Sequence, residues 1–335
     1  MLNISRLSII LIFISLIACS CQNQAEADTS VEARLMQQFV EDISAYARGI
    51  KPDFIIIPQN GAGLAFTETD TEQGILQPYI DAIDGIGIEE LFYDGAFKPD
   101  NERLQLLRTL RDTVNPRDSI KIMVSDFVKD NANLTDSVNR SLKEGFIAFP
   151  RASDNYDYMY IPALSGANTN DINTLNDAQN YLYLISTDNY YNENLPDEGK
   201  QAMIDAIAVT DYDLIIIDLF FEDYMLTRDD VNQLKTKHNG KKRLVVSYIS
   251  IGSAENYRYY WQKGWKKGAP SWLKKSYDGY PDEYWVEFWN PQWQEIIYGD
   301  NGFNGEDSYI KKIIDAGFDG AYLDNVEAYY FLKNN

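Results

Sequence analysis

Short apolar runs separated by amphipathic stretches set the rhythm of this chain. Leu35, Phe39, Val40 and Ile43 recur at helical spacing and predict a helix over 31–48. Eight apolar runs follow as strand candidates, at 54–57, 90–93, 120–125, 146–149, 214–220, 244–250, 284–289 and 321–326. Several are continuous, as in Leu214-Ile215-Ile216-Ile217 and Leu244-Val245-Val246. That pattern suits parallel strands buried on both faces. Helical patterns fall between them, around 102–114, 132–144, 174–186, 198–208, 228–238 and 306–316, with a last one near 326–333. Buried strands alternating with helices predict an α/β fold of the (β/α)8 TIM-barrel type over 31–335. The structural rival is an open doubly wound sheet, which carries a Gly-rich phosphate turn after its first strand. Gly61-Ala62-Gly63 follows the first strand without the rest of that pattern. The connection from 150 to 175 is rich in Asn, Asp, Ser and Tyr and is expected to overhang the mouth of the barrel.

The first thirty residues read differently. Arg6 precedes an apolar run from Leu7 to Ala18 that is short for a membrane span and fits a secretory signal. Its end, Leu16-Ile17-Ala18-Cys19, resembles the lipobox of bacterial lipoproteins. That resemblance implies a signal peptide over 1–18, a lipid on Cys19 as the sole membrane attachment, and a flexible tether over 19–30. Ser20 after Cys19 points, by the enterobacterial sorting pattern, to the outer membrane of an exported protein, on its periplasmic or cell-surface side.

Composition narrows the chemistry. With Lys+Arg 30 against Asp+Glu 51 the net charge is −21, so nucleic acid is not an expected partner. The only two cysteines, Cys19 and Cys21, lie in the leader region, so the expected domain offers no disulfide, Cys metal site or thiol nucleophile. The single histidine, His238, sits in Thr236-Lys237-His238-Asn239-Gly240 and reads as an exposed helix end before a Gly cap. No metal or cofactor is expected. Carboxylates and tyrosines are left to carry any catalysis.

Barrel sites lie where the strands end. Asp94, Asp126, Asp218 and Asp324 each close or follow an apolar run, and Glu255 lies five residues beyond Ser250. Each could instead cap the next helix. All six tryptophans fall between 261 and 293, interleaved with tyrosines. Flat aromatic faces beside carboxylates suit sugar rings, although Trp also fills cores. Two carboxylates flanking a glycosidic bond are the usual glycosidase machinery and need neither His, Cys nor metal.

The segment SYISIGSAENYRYYW at 247–261 resembles the strand-six signature of TIM-barrel proteins grouped with endo-α-1,4-polygalactosaminidase, glycoside hydrolase family 114, in their bacterial and archaeal extracellular branch. FIIIPQNG at 54–61, DAIDGIGIEELFYDG at 81–95, DAQNYLYLI at 177–185, YDLIIIDLFF at 212–221, YWVEFWNPQWQEII at 284–297 and GFDGAYLDNVEAYYF at 317–331 follow the same pattern in order. The resemblance implies a TIM barrel that cleaves a galactosamine-containing or related polysaccharide, probed through an acidic surface suited to partly deacetylated, cationic polymers. Asp324 and Glu255 are its expected catalytic carboxylates, with the acid unassigned. Asp218, Tyr248, Tyr257 and Arg258 are expected supports, and Trp261 and Trp289 stacking platforms. Ser253, Asn256, Glu287, Asn290 and Glu327 depart from the branch pattern, and Tyr322 stands where the fungal enzymes carry a Glu. Ser253, Asn256 and Tyr322 suggest the alternative, a non-catalytic glycan-binding lipoprotein on the same scaffold. A structural envelope protein is a third reading and predicts no concave aromatic site.

Overall fold

The computed structural model describes residues 31–114, 120–153, 156, 158–164 and 166–332. The expected signal peptide, Cys19 and the tether lie outside the described residues. Helix α1 (31–50) opens the described chain and buries Met36, Phe39, Val40 and Ile43, the face that the 3.6-residue spacing selects.

Eight parallel strands follow: β1 (Ile55–Pro58), β2 (Gly85–Phe97), β3 (Lys121–Val128), β4 (Ile147–Ala148), β5 (Tyr181–Tyr183), β6 (Leu214–Asp218), β9 (Leu244–Ser250) and β13 (Gly320–Asp324). Helices α2 (Gln77–Ala82), α3 (Asn101–Thr113), α4 (Leu134–Lys143), α5 (Pro196–Ala208), α6 (Arg228–Leu234), α7 (Pro291–Ile297) and α8 (Tyr309–Asp315) lie between strands, and α9 (Ala328–Phe331) follows the last. Their starts are written locally. Asp100 accepts the N–H of Arg103 at the head of α3, and Thr227 and Asp230 form a reciprocal capping box on α6.

One sheet has the order β1-β13-β9-β6-β5 and a second β2-β3-β4, all pairs parallel. A parallel bridge from Gln59, just past β1, to Gly87, near the start of β2, joins the two. First and last strands are thus neighbours, as a cyclic (β/α)8 order requires. Among the described residues no ladder joins β4 to β5; there the ring of Phe149 packs 5.6 Å from that of Tyr181. The fold is therefore α/β with parallel sheets, and main-chain pairing does not close it at that seam.

Two expectations need correction. The segment 284–289 is not a strand of the parallel set. Tyr284–Val286 belongs to β12 (Tyr280–Val286), which pairs antiparallel with β10 (Ser253–Glu255) and β11 (Leu273–Tyr277) in a separate three-stranded ribbon. The missing parallel strand is β5, inside the predicted helix over 174–186. Its run Tyr181-Leu182-Tyr183-Leu184 is apolar throughout, so periodicity cannot tell strand from buried helix there. A two-stranded hairpin, β7 (Phe220–Phe221) with β8 (Tyr224–Met225), completes the sheets. Among the described residues no helix is long and apolar enough to cross a membrane.

The apolar interior is continuous, with Ile56, Ile57, Ile215, Ile216, Val245, Val246 and Leu323 fully buried. Tyr322 fills its centre, edge-on to Tyr183 with ring centroids 5.2 Å apart. A Cβ on Gly87 would lie 1.8 Å from the Tyr322 hydroxyl, so this aromatic core layer requires glycine on β2.

Candidate active site

The parallel strands all end at one mouth, where a cavity of about 500 Å³ opens. Its wall carries Glu89, Asp218, Glu255, Asp278, Glu283, Asp324 and Glu327 against a single arginine, Arg258. Strand register explains part of this gathering. Asp218 lies opposite Tyr248, and Asp324 opposite Ser250, so the ends of β6, β9 and β13 arrive side by side.

Arg258 divides the acids. Its Nη1 and Nη2 donate to the two oxygens of Asp218 at 2.9 and 2.6 Å, a fork matched to a carboxylate. Its Nε donates to Glu255 Oε2 at 2.6 Å and its Nη2 to Oε1 at 3.3 Å, while the Tyr257 hydroxyl donates to Oε1 at 2.5 Å. Both oxygens of Glu255 are therefore engaged. Burial works against the charge on Arg258, but the two carboxylates outweigh it and hold the guanidinium well above its ordinary value.

Asp324 has no such cation. The Tyr248 hydroxyl donates to its Oδ2 at 2.6 Å and the Asn325 N–H to its Oδ1 at 2.7 Å. Burial, then the negative charge of Glu89, pushes the carboxyl up to about 7 against the pull of those two donors. Glu89 reaches the mouth because the β2–β3 register slips between Glu89 and Asp94, where Glu90 takes a left-handed φ of 54°. Such bulges re-aim side chains beside active sites. The Tyr158 hydroxyl donates to Glu89 Oε1 at 2.5 Å and Asn60 Nδ2 to Oε2 at 3.2 Å. Tyr158 comes from the connection expected over the mouth, and its ring stacks on Tyr183 at 3.9 Å.

Glu283 arrives from the ribbon, directly opposite Glu255 in the β10–β12 register. Burial, then the charge of Glu255, pushes it up to about 8. A proton-bearing carboxyl beside anionic neighbours is the setting for acid/base chemistry at neutral pH.

Six of the expected site residues thus line one cavity: Asp324, Glu255, Asp218, Tyr248, Tyr257 and Arg258. Trp261 and Trp289 do not. Trp261 stacks on Tyr284 at 5.4 Å and meets Trp265 edge-on, and Trp289 packs edge-on against Phe288 at 4.8 Å, so both rings pack against aromatic neighbours outside the cavity wall. Trp285 is the tryptophan in the wall, stacked between Tyr277 at 4.3 Å and Phe331 at 4.5 Å. Asp126 and Asp94 also stay outside: Asp126 is buried against Phe92 N–H and the Ser137 hydroxyl, and Asp94 pairs with Lys98. His238 is exposed, as expected, but in a turn beyond α6 and not at its end, because the helix stops at Leu234. Glu89 and Glu283 were missed, although both lie in or beside motif segments. Among the described residues no group of three or more His, Cys, Asp or Glu is arranged to hold a metal ion.

The family description "Glycoside-hydrolase family GH114" matches residues 163–335, which hold most of this site. An uncharacterized protein of Deinococcus radiodurans is 34% identical over 129 residues, 38% of this chain and 38% of its own. The uncharacterized protein MJ1477 of Methanocaldococcus jannaschii is 32% identical over 166 residues, 49% of this chain and 44% of its own. An uncharacterized Thermotoga maritima protein is 36% identical over 86 residues, 26% of this chain and 24% of its own. Each match spans less than half of the relative's length.

Proposed function

The chain belongs to glycoside-hydrolase family GH114, and from that premise we propose that it hydrolyses glycosidic bonds within an amino-sugar-containing polysaccharide, as an endo-acting, polygalactosaminidase-like enzyme. The observation that carries this reading is Asp324, a carboxyl pushed up to about 7 at the floor of the mouth with Glu89 as the charge bearing most on it. Two carboxyls can divide the work. One gives its proton to the leaving glycosidic oxygen, and the other attacks the anomeric carbon or activates water. Asp324 is the first catalytic assignment, and Glu89 its partner. Glu255, which motif resemblance pairs with Asp324, is engaged by Arg258 and Tyr257 and acts as a fixed supporting anion. Asp218 anchors the same guanidinium.

The acid surplus of the wall and the net charge of −21 favour a glycan with free amino groups. We read the parallel strands as a (β/α)8 barrel whose β4–β5 seam is closed by side chains. We also place the protein outside the cytoplasm, anchored to the outer membrane through a lipid on Cys19.

The test is product analysis by mass spectrometry, with the purified protein and its Asp324→Asn variant on a glycan panel that includes partly deacetylated polygalactosamine. Shortened oligosaccharides from the parent protein alone are expected. Intact polymer with measurable glycan binding would replace the hydrolase with a glycan-binding lipoprotein.

A further inference from the structure

The carboxyl of Glu283 is part of the cavity wall but belongs to neither the Arg258 clamp nor the Asp324–Glu89 pair. Three features of its placement point to one role. First, it faces Glu255 across an antiparallel ladder, where like charges directly opposed are unfavourable. Glu255 is the member fixed as an anion, because Arg258 grips both of its oxygens. The proton must then reside on Glu283.

Second, one oxygen of Glu283 is already taken. Oε1 accepts from the Ser253 hydroxyl and, at 3.1 Å, from Asn325 Nδ2. Among the described residues no hydrogen bond engages Oε2, so that oxygen is left to carry the proton into the cavity. Third, the residue that holds Glu283 is itself tightly fixed. Asn325 takes a left-handed φ of 60°, tolerated by Asn better than by most residues. Its two amide hydrogens are shared among three acceptors, Glu283 Oε1 and the Ser250 and Ser253 hydroxyls, the last two at 2.9 Å each, and its oxygen accepts from Tyr277 at 3.2 Å. A Cβ on Gly252 would lie 2.0 Å from the Asn325 carbonyl oxygen, so the glycine of the SIGS segment is what lets this backbone come so close.

We infer that Glu283 is a specificity-determining residue that presents a neutral carboxyl, with its hydroxyl on Oε2, to an oxygen of the bound sugar, and that Asn325 is the residue positioning it. The inference rests on the proposed glycan-cleaving function. The ligand atom is a neutral acceptor, a hydroxyl or an N-acyl carbonyl oxygen. Charged and titratable groups around Glu283 are Glu255 on β10, Asp324 at the end of β13, Arg258, and the tyrosines Tyr248, Tyr277 and Tyr280. All of them apart from Arg258 are acids, and Arg258 is spent on Asp218 and Glu255. The upward displacement of Glu283 to about 8 agrees with this arrangement.

The test is calorimetric binding of a partly N-acetylated galactosamine oligosaccharide to the full chain across pH, together with ¹³C-carboxyl titration of Glu283. In the parent protein binding weakens as pH rises through about 8, and the Glu283 resonance titrates over the same range. Glu283→Gln, which stays neutral and keeps a donor, should retain the low-pH affinity and lose that pH dependence. Asn325→Gly, which keeps the backbone conformation without the amide, should weaken binding about tenfold. Glu255→Gln should bring the Glu283 titration down by about one unit or more. A roughly tenfold loss of low-pH affinity in Glu283→Gln would mean that an anion meets an ammonium, and would overturn the inference; so would an ordinary glutamate titration, or no binding at all. Binding that follows the expected pattern without any cleavage would sink the hydrolase reading alone.

Discussion

Three of the parallel strands carry one acid at the start and another toward the mouth, at the strand end in β6 and β13 and at the bulge within β2, and the two sets are held differently. At the start of β2, β6 and β13 stand Asp84, Asp213 and Asp319. Each accepts a main-chain N–H from the neighbouring strand or its lead-in: Ile56 to Asp84 at 2.8 Å, Gln179 to Asp213 at 2.9 Å and Val245 to Asp319 at 3.0 Å. Each also has a cation, Arg48 on Asp84, Lys237 on Asp213, and Lys51 and Lys235 on Asp319. Lys237 is fully buried, and its ammonium donates to Asp213 and to the carbonyls of Asn168 and Asn170, so no donor is left over. At the other end Arg258 serves Asp218, the charge of the buried Arg151 bears on Glu89, and Asp324 has no ion pair among the described residues. The first set of acids fastens adjacent strands. In the second, Asp324 is left without an ion pair beside a cavity, which costs stability and is retained where chemistry or binding needs it. Matching acids at opposite ends of one strand therefore carry different assignments, and the difference lies in their partners.

The largest effect that divides the two ends is on rate. Asp324→Asn should lower turnover of a cleavable glycan by about 10²–10⁴-fold, while the thermal midpoint stays level or rises, because an unpaired buried charge is removed. A matched loss of stability would place Asp324 with the fastening acids.

The reciprocal change is Lys237→Met. It strands Asp213 in the interior, and breaking a buried pair in this way costs about 3–5 kcal/mol. Denaturant unfolding should show that loss, while kcat/KM of the folded fraction stays unchanged. A fall in kcat/KM beyond the folded fraction would couple the two ends.

How far these ends could be read from sequence follows from what fixes each residue. The strand-end acids Asp218 and Asp324 are visible because apolar runs stop on them, Leu214-Ile215-Ile216-Ile217 before the first and Ala321-Tyr322-Leu323 before the second. Tyr248, Glu255, Tyr257 and Arg258 sit in one motif and converge as expected. Glu89 was hidden because a bulge, which has no periodic signature, turns β2 at that point. Glu283 was hidden because its strand was assigned to the parallel set, whereas the β10–β12 register is what brings it to Glu255. Clustering of tryptophans drew attention to Trp261 and Trp289, but adjacency in sequence does not distinguish a wall from the packing behind it. Lys237 is the opposite case: a polar stretch read as an exposed helix end contains a fully buried ammonium, because Asp213 and two carbonyls wait beneath it.

Stability against pH tests the mouth as a whole. Asp324 and Glu283 hold protons in the folded state, up to about 7 and about 8, that the unfolded chain releases near its ordinary carboxyl values of 3.8 and 4.5. Within those windows the folded state binds more protons, so stability is highest below the unfolded values and declines as pH rises, levelling once each folded value is passed. The slope should reach at most about 1.4 kcal/mol per pH unit for each group. Urea midpoints measured across that range should show the decline in the parent protein and a shallower one in Asp324→Asn and in Glu283→Gln. Rising stability over the same window in the parent would mean that the mouth acids are paired after all.

The smallest effect bears on what holds Asp324 in range. Its two donors, the Tyr248 hydroxyl and the Asn325 N–H, favour the anion, and they offset part of what burial and Glu89 impose. Tyr248→Phe removes one donor without opening a cavity, and a hydrogen bond to a charged group is worth about 1.5–3 kcal/mol. The neutral carboxyl is then favoured further, so its titration should move upward by about one pH unit. If Asp324 gives up a proton in the slow step, the alkaline limb of kcat moves up with it. If Asp324 acts as the anion, the acidic limb moves up instead and activity at neutral pH falls. A pH–rate series on this one variant therefore assigns the proton that the geometry leaves open, and an unmoved profile would remove Asp324 from the titrating pair.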